Sequence, residues 1–513
     1  MKNLTLRNIA LACQGTYIGP ADSMDLEISA VTTDSRKVPA MSLFAAIKGE
    51  RVDGHKFVRM AHDQGACACL IEENPEHIAE LLSASEDEEY KKQARTEVLR
   101  SLKAMPLILV ASTGNALMNL AEYYLRQLSL PVVGIIGSVG KTSTKEMAAS
   151  VLEEKYRVLK TEGNFNNKLG LPLTIFRLTE EDQMAVLEMG IDDFGQMRQL
   201  AKIARPDTVV MTNIGTCHLD HLKDRKGVWR AKSEVFDYIR KGGHAVFNGE
   251  DDILATVHEI KGIRPLHFGL SEKAADGSTN DLWADEIIEH GFEGVSCTIH
   301  FCRNAAENGT GGGIADDTSD PAVRDSRIRV KIGMPGRHMV LNALAGASVG
   351  LLYGLTDEEI KKGIEKAETI SGRFHILKGK RFTVIDDCYN ANPMSMKASL
   401  GILEKGDSSR KVAILGDMGE LGDKEADLHA EVGAYAAGLG IDAVYCAGKL
   451  SRNITERIAA AGSRIEIRWF QTREELQAKL PDLVRDGDTI LVKASHFMNF
   501  GEILKELEKL QES

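Results

Sequence analysis

The chain's firmest constraint is GIIGSVGKTS at 134–143, where the apolar run VVGIIG meets a glycine-rich turn and then the helical pattern STKEMAASVLEE. A buried strand that feeds a helix through such a turn belongs to an open, mostly parallel sheet with helices on its faces. The same turn frees backbone N–H groups, and the helix behind it adds a positive end, so the segment can cradle a polyphosphate. Gly137, Ser138, Val139, Gly140, Lys141, Thr142 and Ser143 are therefore the expected nucleotide contacts, with Lys141 supplying charge and the Thr142 hydroxyl reaching Mg2+. The usual GxxxxGKT would place a glycine where Ile135 stands, so this is a shorter Gly137-x-x-Gly140-Lys141-Thr142 loop.

Apolar runs alternate with amphipathic stretches on both sides of this loop. Length sets the domain count, since 513 residues at roughly 100–200 per domain predict about three. The fold class is α/β with three domains. Residues 1–110 form a small α/β domain with strands at SLFAAI (42–47), ACACLI (66–71) and PLILVAS (106–112). Residues 111–370 form a central P-loop ATPase-like, mostly parallel sheet, with strands at AVLEMG (185–190), TVVMTNI (208–214) and AVFN (245–248). Residues 371–513 repeat the rhythm as a Rossmann-like α/β domain with TVIDD (383–387), VAILGD (412–417), AVYCAG (443–448) and TILVKAS (489–495). Within the charged stretch 83–105, Tyr90, Ala94, Val98 and Leu102 recur every four residues, which predicts a surface helix with one apolar stripe. Residues 304–320, NAAENGTGGGIADDTSD, are too polar and glycine-rich to pack and read as a flexible excursion between two strands.

Lys plus Arg number 63 against 75 Asp plus Glu, a net charge of -12, which excludes a general nucleic-acid or anionic-membrane surface. Any anionic ligand must be met by local charge. Eight cysteines without a CxxC pair fit a reducing, cytoplasmic location, and Cys67 and Cys69 read as alternate residues of a strand rather than a metal pair. No run approaches 18 apolar residues, so no membrane insertion is expected.

Glu188 ends one apolar strand and His218 follows another, both at the carboxyl edge where ligands collect in an open sheet. With Thr142, a carboxylate there could anchor Mg2+ between phosphates. Lys232, in WRAKSEVF, has the local pattern of an ordinary helix-surface lysine. Asp386 and Asp387 end the strand TVI at a similar edge, a position that equally suits a turn or helix cap. Asn167-Lys168-Leu169-Gly170 lacks the final Asp of a guanine-reading NKxD, and Asp193-Phe194-Gly195 has no HRD-type loop upstream, so a GTPase or kinase is unsupported.

Taken together, TTDSRKVPAMSLFAAIKGERVDGHKF (32–57), GSVGKTSTKE (137–146), TEGNFNNKLGLPLT (161–174), LEMG (187–190), TNIGTCHLDHL (212–222), AKSE (231–234), GRHMVLNALA (336–345), SGRF (371–374), DDCYNANPMSM (386–396) and LGDMGELG (415–422) resemble the Mur ligase family over nearly the whole chain. DSR with DGHKF is similar to the two later-acting members, and YNANP with GDMGELG to the one that adds D-alanyl-D-alanine. The resemblance implies an ATP-dependent amide ligase of peptidoglycan precursor synthesis. It would join D-alanyl-D-alanine to UDP-N-acetylmuramoyl-tripeptide through an acyl phosphate, as a cytoplasmic monomer using ATP and two Mg2+ ions.

It further implies catalytic roles for Lys141, His218 and Lys232, with Lys232 carbamylated and joining Thr142, Glu188 and His218 as metal ligands. Asn166 and Asn167 would face substrate or metal, and Ser35 and Arg36 the uridine nucleotide. His338 and Asn342 would approach adenine, while Arg373 and Asp387 would close over ATP. The first domain would bind the muramoyl nucleotide, the second ATP, and the third the dipeptide. Met339, Ala494 and His496 depart from the family's usual Asn, Gly and Arg. A family member adding lysine or diaminopimelate, or a folate polyglutamate ligase, is the nearest alternative activity. A non-catalytic nucleotide-binding regulator would have no need of metal ligands on several separate segments. Whether the tripeptide ends in lysine or diaminopimelate is not encoded in these motifs.

Overall fold

A computed structural model describes residues 1–49, 52–83, 88–302, 326–406 and 408–512. Three sheets follow one another along the chain. The first contains β1 (Thr16–Ile18), β2 (Ala30–Thr32), β3 (Ser42–Ala45), β4 (Ala66–Ile71) and β5 (Leu107–Leu109), in the order β1-β5-β4-β3-β2. Only the pairing of β1 with β5 is antiparallel.

The central sheet contains β6 (Val132–Ile136), β7 (Val158–Lys160), β8 (Met184–Glu188), β9 (Thr208–Met211), β10 (His244–Asn248), β11 (Leu266–Gly269), β12 (Leu282–Glu289), β13 (Val295–Phe301) and β14 (Ser326–Ile332). Its order is β14-β13-β12-β11-β10-β9-β6-β8-β7, parallel from β7 to β12, with β13 and β14 added antiparallel. Strand order reverses at β6, which lies between β8 and β9, so the crevice beyond its carboxyl end is the natural ligand position.

The third sheet contains β15 (His375–Lys378), β16 (Thr383–Asp386), β17 (Arg410–Gly416), β18 (Ala443–Ala447), β19 (Glu466–Phe470) and β20 (Asp488–Lys493), in the order β15-β16-β20-β17-β18-β19. All its pairings are parallel except β15 with β16.

Helix Thr113–Leu128 explains how the first two sheets are joined. Its Ala116, Leu117, Leu120, Ala121, Tyr124 and Leu125 recur at helical spacing and are buried in one apolar cluster. That cluster takes Leu43, Leu70 and Ile108 from the first sheet and Val132, Leu187 and Val209 from the central one. The third sheet has its own clusters on its two faces. On the other face of the central sheet, helices Lys141–Leu152 and His338–Leu352 pack over Val133, Val186 and Val210.

The charged stretch near 83–105 forms a helix, Glu88–Ala104, whose Val98 and Leu102 are buried against the first domain while Ala94 is half-buried. The side chain of Tyr90 and the excursion 304–320 lie outside the described residues. All eight cysteines are free, and Cys69 is fully buried beside half-buried Cys67. Among the described residues no helix is long and apolar enough to cross a membrane.

Candidate active site

The loop after β6 wraps around the N-terminus of helix Lys141–Leu152, whose first amides have no intrahelical acceptor. Gly137 has φ +143°, and a Cβ there would lie 2.0 Å from Thr212 Oγ1. Only glycine lets the turn approach the segment after β9 this closely. That segment braces the loop: Asn213 Oδ1 accepts from Val139 N at 3.0 Å, and Asn213 Nδ2 donates to Val139 O at 2.9 Å. Thr212 Oγ1 also donates to Val139 O, and Gly215 N donates to Ser138 Oγ. The Lys141 ammonium folds over the turn and donates to Gly137 O and Ser138 O at 3.0 and 3.2 Å. Its charge thus sits over the cradle.

Glu188 closes β8 and is 2% exposed. One of its oxygens accepts from Asn166 Nδ2 at 2.8 Å, while Oε2 is buried with no hydrogen-bond partner. A buried, half-satisfied carboxylate is costly and suits a site that presents negative charge to a cation. Asn167 instead caps the turn that follows, its Oδ1 accepting from Leu169 N and Gly170 N.

Lys232 is 1% exposed, near enough to Cys217 and Lys141 for both to act on it electrostatically. Burial lowers its pKa to about 8, Cys217 raises it and Lys141 lowers it further. Among the described residues it forms no ion pair. A lysine that is surface-like by sequence pattern is thus one of the most buried cations in the molecule.

His218, in a left-handed conformation (φ +53°), stands ahead of the short helix Leu219–Leu222. Its Nδ1 lies 2.7 Å from Glu420 Oε2, a residue of the third domain. The hydrogen bond from His218 holds the Glu420 carboxyl below its ordinary pKa against the opposing effect of burial.

The third domain supplies the opposite wall. Arg373 Nη2 donates to Thr142 Oγ1 at 3.3 Å, its guanidinium lies 4.1 Å from the Tyr389 ring, and its Nε is buried without a partner. The turn carrying Arg373 is fixed by two aspartates at the end of β16. Asp386 Oδ2 accepts from Gly372 N and Ser371 Oγ, and Asp387 Oδ1 accepts from Phe374 N. The other Asp387 oxygen accepts from Lys493 Nζ at 2.7 Å and from Ser399 Oγ at 2.5 Å.

Between these walls lies a cavity of about 350 Å³ lined by Val139, Gly140, Ser143, His338, Asn342, Arg373 and Asp387, together with Asn248, Ser395 and Lys493. Gly137, Ser138, Lys141 and Thr142 form the loop at its edge. Asn342 Oδ1 accepts from Thr144 Oγ1, and its amide donates to Met339 Sδ at 3.2 Å, so Met339 has become a partner of Asn342. The His338 ring is exposed, yet the enclosing protein atoms push its pKa down. Sequence reasoning missed Asn213, Asn248, Lys493 and Glu420. Each follows the carboxyl end of a strand or ends it, and that position was the signal available.

Ser35 and Arg36 line a separate hollow in the first domain, with Thr33, Asp34, Phe44 and Phe57. Arg36 is exposed and forks onto Asp34 at 2.8 and 2.9 Å, which depresses the aspartate's pKa to about 2.

Family models cover most of the chain. The Mur ligase family, catalytic domain model matches residues 27–111; the Mur ligase middle domain matches 135–350; the Mur ligase, glutamate ligase domain matches 372–496. The chain is 32% identical to the UDP-N-acetylmuramoyl-tripeptide--D-alanyl-D-alanine ligase of Bacillus subtilis, over 98% of each chain. It is 31% identical to that of Escherichia coli, over 96% of each. Among solved structures, a MurF crystal structure from Acinetobacter baumannii aligns with a TM-score of 0.79 at 29% identity, covering 99% of both chains. MurF ligase from Thermotoga maritima in complex with ADP aligns at 0.72 with 27% identity, covering 95% of this chain and 99% of that one.

Proposed function

The chain belongs to the Mur ligase family, and from that premise we propose how its three sheets share the work. It uses ATP to join D-alanyl-D-alanine to UDP-N-acetylmuramoyl-tripeptide, a step of peptidoglycan precursor synthesis. Residues 1–110 hold the muramoyl nucleotide around Ser35 and Arg36, residues 111–370 hold ATP, and residues 371–513 bring the dipeptide and close over the phosphates. The reaction belongs in the cytoplasm, where its nucleotide substrates are.

The observation that supports this reading is the meeting of two domains at the loop after β6: Arg373 of the third domain donates to Thr142 Oγ1, and Arg373, Asp387 and Lys493 line one cavity with Val139, Gly140 and Ser143 of the central domain. To this site we assign Lys141, Glu188, His218 and Lys232 of the central domain as well. The terminal carboxylate of the tripeptide attacks the γ-phosphorus and ADP leaves, giving an acyl phosphate. The neutral amine of D-alanyl-D-alanine, its ammonium having lost a proton to solvent or base, then attacks the acyl carbon; phosphate leaves with the C–O electron pair, and the new amide nitrogen gives its extra proton to solvent or to the departing phosphate. Every reacting group but the amine is anionic. Lys141 and Arg373 offset that repulsion, which a net charge of -12 otherwise worsens.

The donors present fit Mg2+. The unpartnered Glu188 Oε2 and the Thr142 hydroxyl are hard oxygen ligands, and a magnesium held through phosphates needs only one or two from the protein. Lys232 and His218 would hold a second ion only if Lys232 gains negative charge, as a carbamate formed with CO2. When bound, Mg2+ neutralises the phosphate oxygens and aligns the γ-phosphate. Burial of Lys232 favours the carbamate, because only the neutral amine reacts with CO2. With burial lowering its pKa to about 8, far more of it is neutral at pH 7 than of an ordinary lysine.

The deciding experiment is phosphate release with ATP. Release should require both UDP-N-acetylmuramoyl-tripeptide and D-alanyl-D-alanine. Equal release with diaminopimelate, lysine or a folate and glutamate pair in place of these substrates would overturn the assignment.

A further inference from the structure

The geometry points to Glu420 as a positioning residue that is delivered by the third domain and sets the orientation and tautomer of His218. The inference rests on the reading of His218 as a group that faces metal and phosphate.

A carboxylate can only accept, so the 2.7 Å contact puts a proton on His218 Nδ1 and turns Nε2 into the free edge of the ring. A carboxylate on the far nitrogen of a metal-facing imidazole fixes the orientation of the ring. Nothing suggests that the pair exists for stability. Glu420's side chain is 65% exposed, and an exposed ion pair adds little to stability. Both residues stand in the left-handed region, with φ +53° and +61°, a strained conformation for residues other than glycine.

A second contact shows that the approach is built in. Gly422, two residues on, has φ +62°, and a Cβ there would fall 2.5 Å from Asp220 Oδ1. The loop after β17 thus lies against the Asp220 side chain of the helix that follows His218. Undocking the third domain therefore removes the carboxylate from His218, so the imidazole is set only when the central and third domains are together.

The test compares Glu420→Ala, Glu420→Gln and His218→Ala by three readouts: steady-state kinetics, Mn2+ affinity in the presence of ADP by electron paramagnetic resonance, and 15N chemical shifts of the His218 ring. Glu420→Ala is expected to lower kcat and weaken Mn2+ binding by about 10- to 100-fold, with the KM for ATP changed less than about threefold. The ring nitrogens should shift toward a mixture of tautomers. Glu420→Gln retains an acceptor oxygen and should fall between Glu420→Ala and the parent, which also covers the case where alanine disturbs the loop. Unchanged ring shifts and Mn2+ affinity in Glu420→Ala, with His218→Ala weakened, would overturn the inference alone. Unchanged Mn2+ affinity in His218→Ala would instead overturn the reading of His218 beneath it.

Discussion

The buried Lys232 ammonium lets the proposed chemistry be tested apart from folding. It is enclosed with no ion pair among the described residues, and removing a charge that is buried and unpaired relieves a desolvation penalty. Lys232→Met is expected to abolish turnover and yet, with CO2 excluded, to raise the stability of the central domain by roughly 1–3 kcal/mol, measured by denaturant titration. Its pH dependence follows from the sign of the shift. The folded pKa lies below that of the unfolded lysine, so between about 8 and 10.5 the unfolded state holds the extra proton. Stability of the uncarbamylated protein therefore rises with pH across that window. Activity has a related signature: enzyme purged of CO2 at mildly acidic pH should lose turnover and regain it with bicarbonate near pH 8. In Lys232→Ala, added short carboxylates should restore part of the rate, and no recovery in either experiment counts against the carbamate.

At the level of elements, the phosphate loop is where sequence said most. Strand, glycine turn and helix were all legible, because a backbone that must pass Thr212 at 2.0 Å from a would-be Cβ tolerates one residue type. Gly137→Ala should push the turn away from β9 and cost at least about 2 kcal/mol of local strain. Nucleotide affinity, read with a fluorescent ADP analogue, should fall at least tenfold while the far-ultraviolet circular dichroism is unchanged. The inner parallel strands were mostly legible too, since burial on both faces leaves continuous apolar runs such as ACACLI and TVVM, whereas the short or half-buried β2, β7, β11 and β19 were not named. The antiparallel ribbon β12–β14 was not, because its burial alternates and its residues carry mixed polarity. Lys493 and Glu420 were missed for another reason. Their strand-end positions were visible, but their partners lie 106 and about 200 positions away, and no local pattern encodes such a meeting.

Over the whole molecule, the distribution of apolar contacts predicts which parts move. The first and central sheets share one cluster through helix Thr113–Leu128, whereas the third has its own two. Unfolding should show two transitions, the third domain melting separately. Trp469 reports on that domain and Trp229 and Trp283 on the central one, so single-tryptophan variants followed by fluorescence resolve them. A single coincident transition at all three would contradict it. Small-angle scattering should also show compaction when ATP and the tripeptide nucleotide are added together, as the third domain settles onto the cleft. The shared cluster has a metrical consequence as well. It fixes the span between the hollow at Ser35 and Arg36 and the phosphate loop, so those two domains resemble calliper jaws set to one gap. With the uridine end held in that hollow as proposed, a precursor whose peptide is one residue too short would leave its carboxylate out of reach of the γ-phosphate.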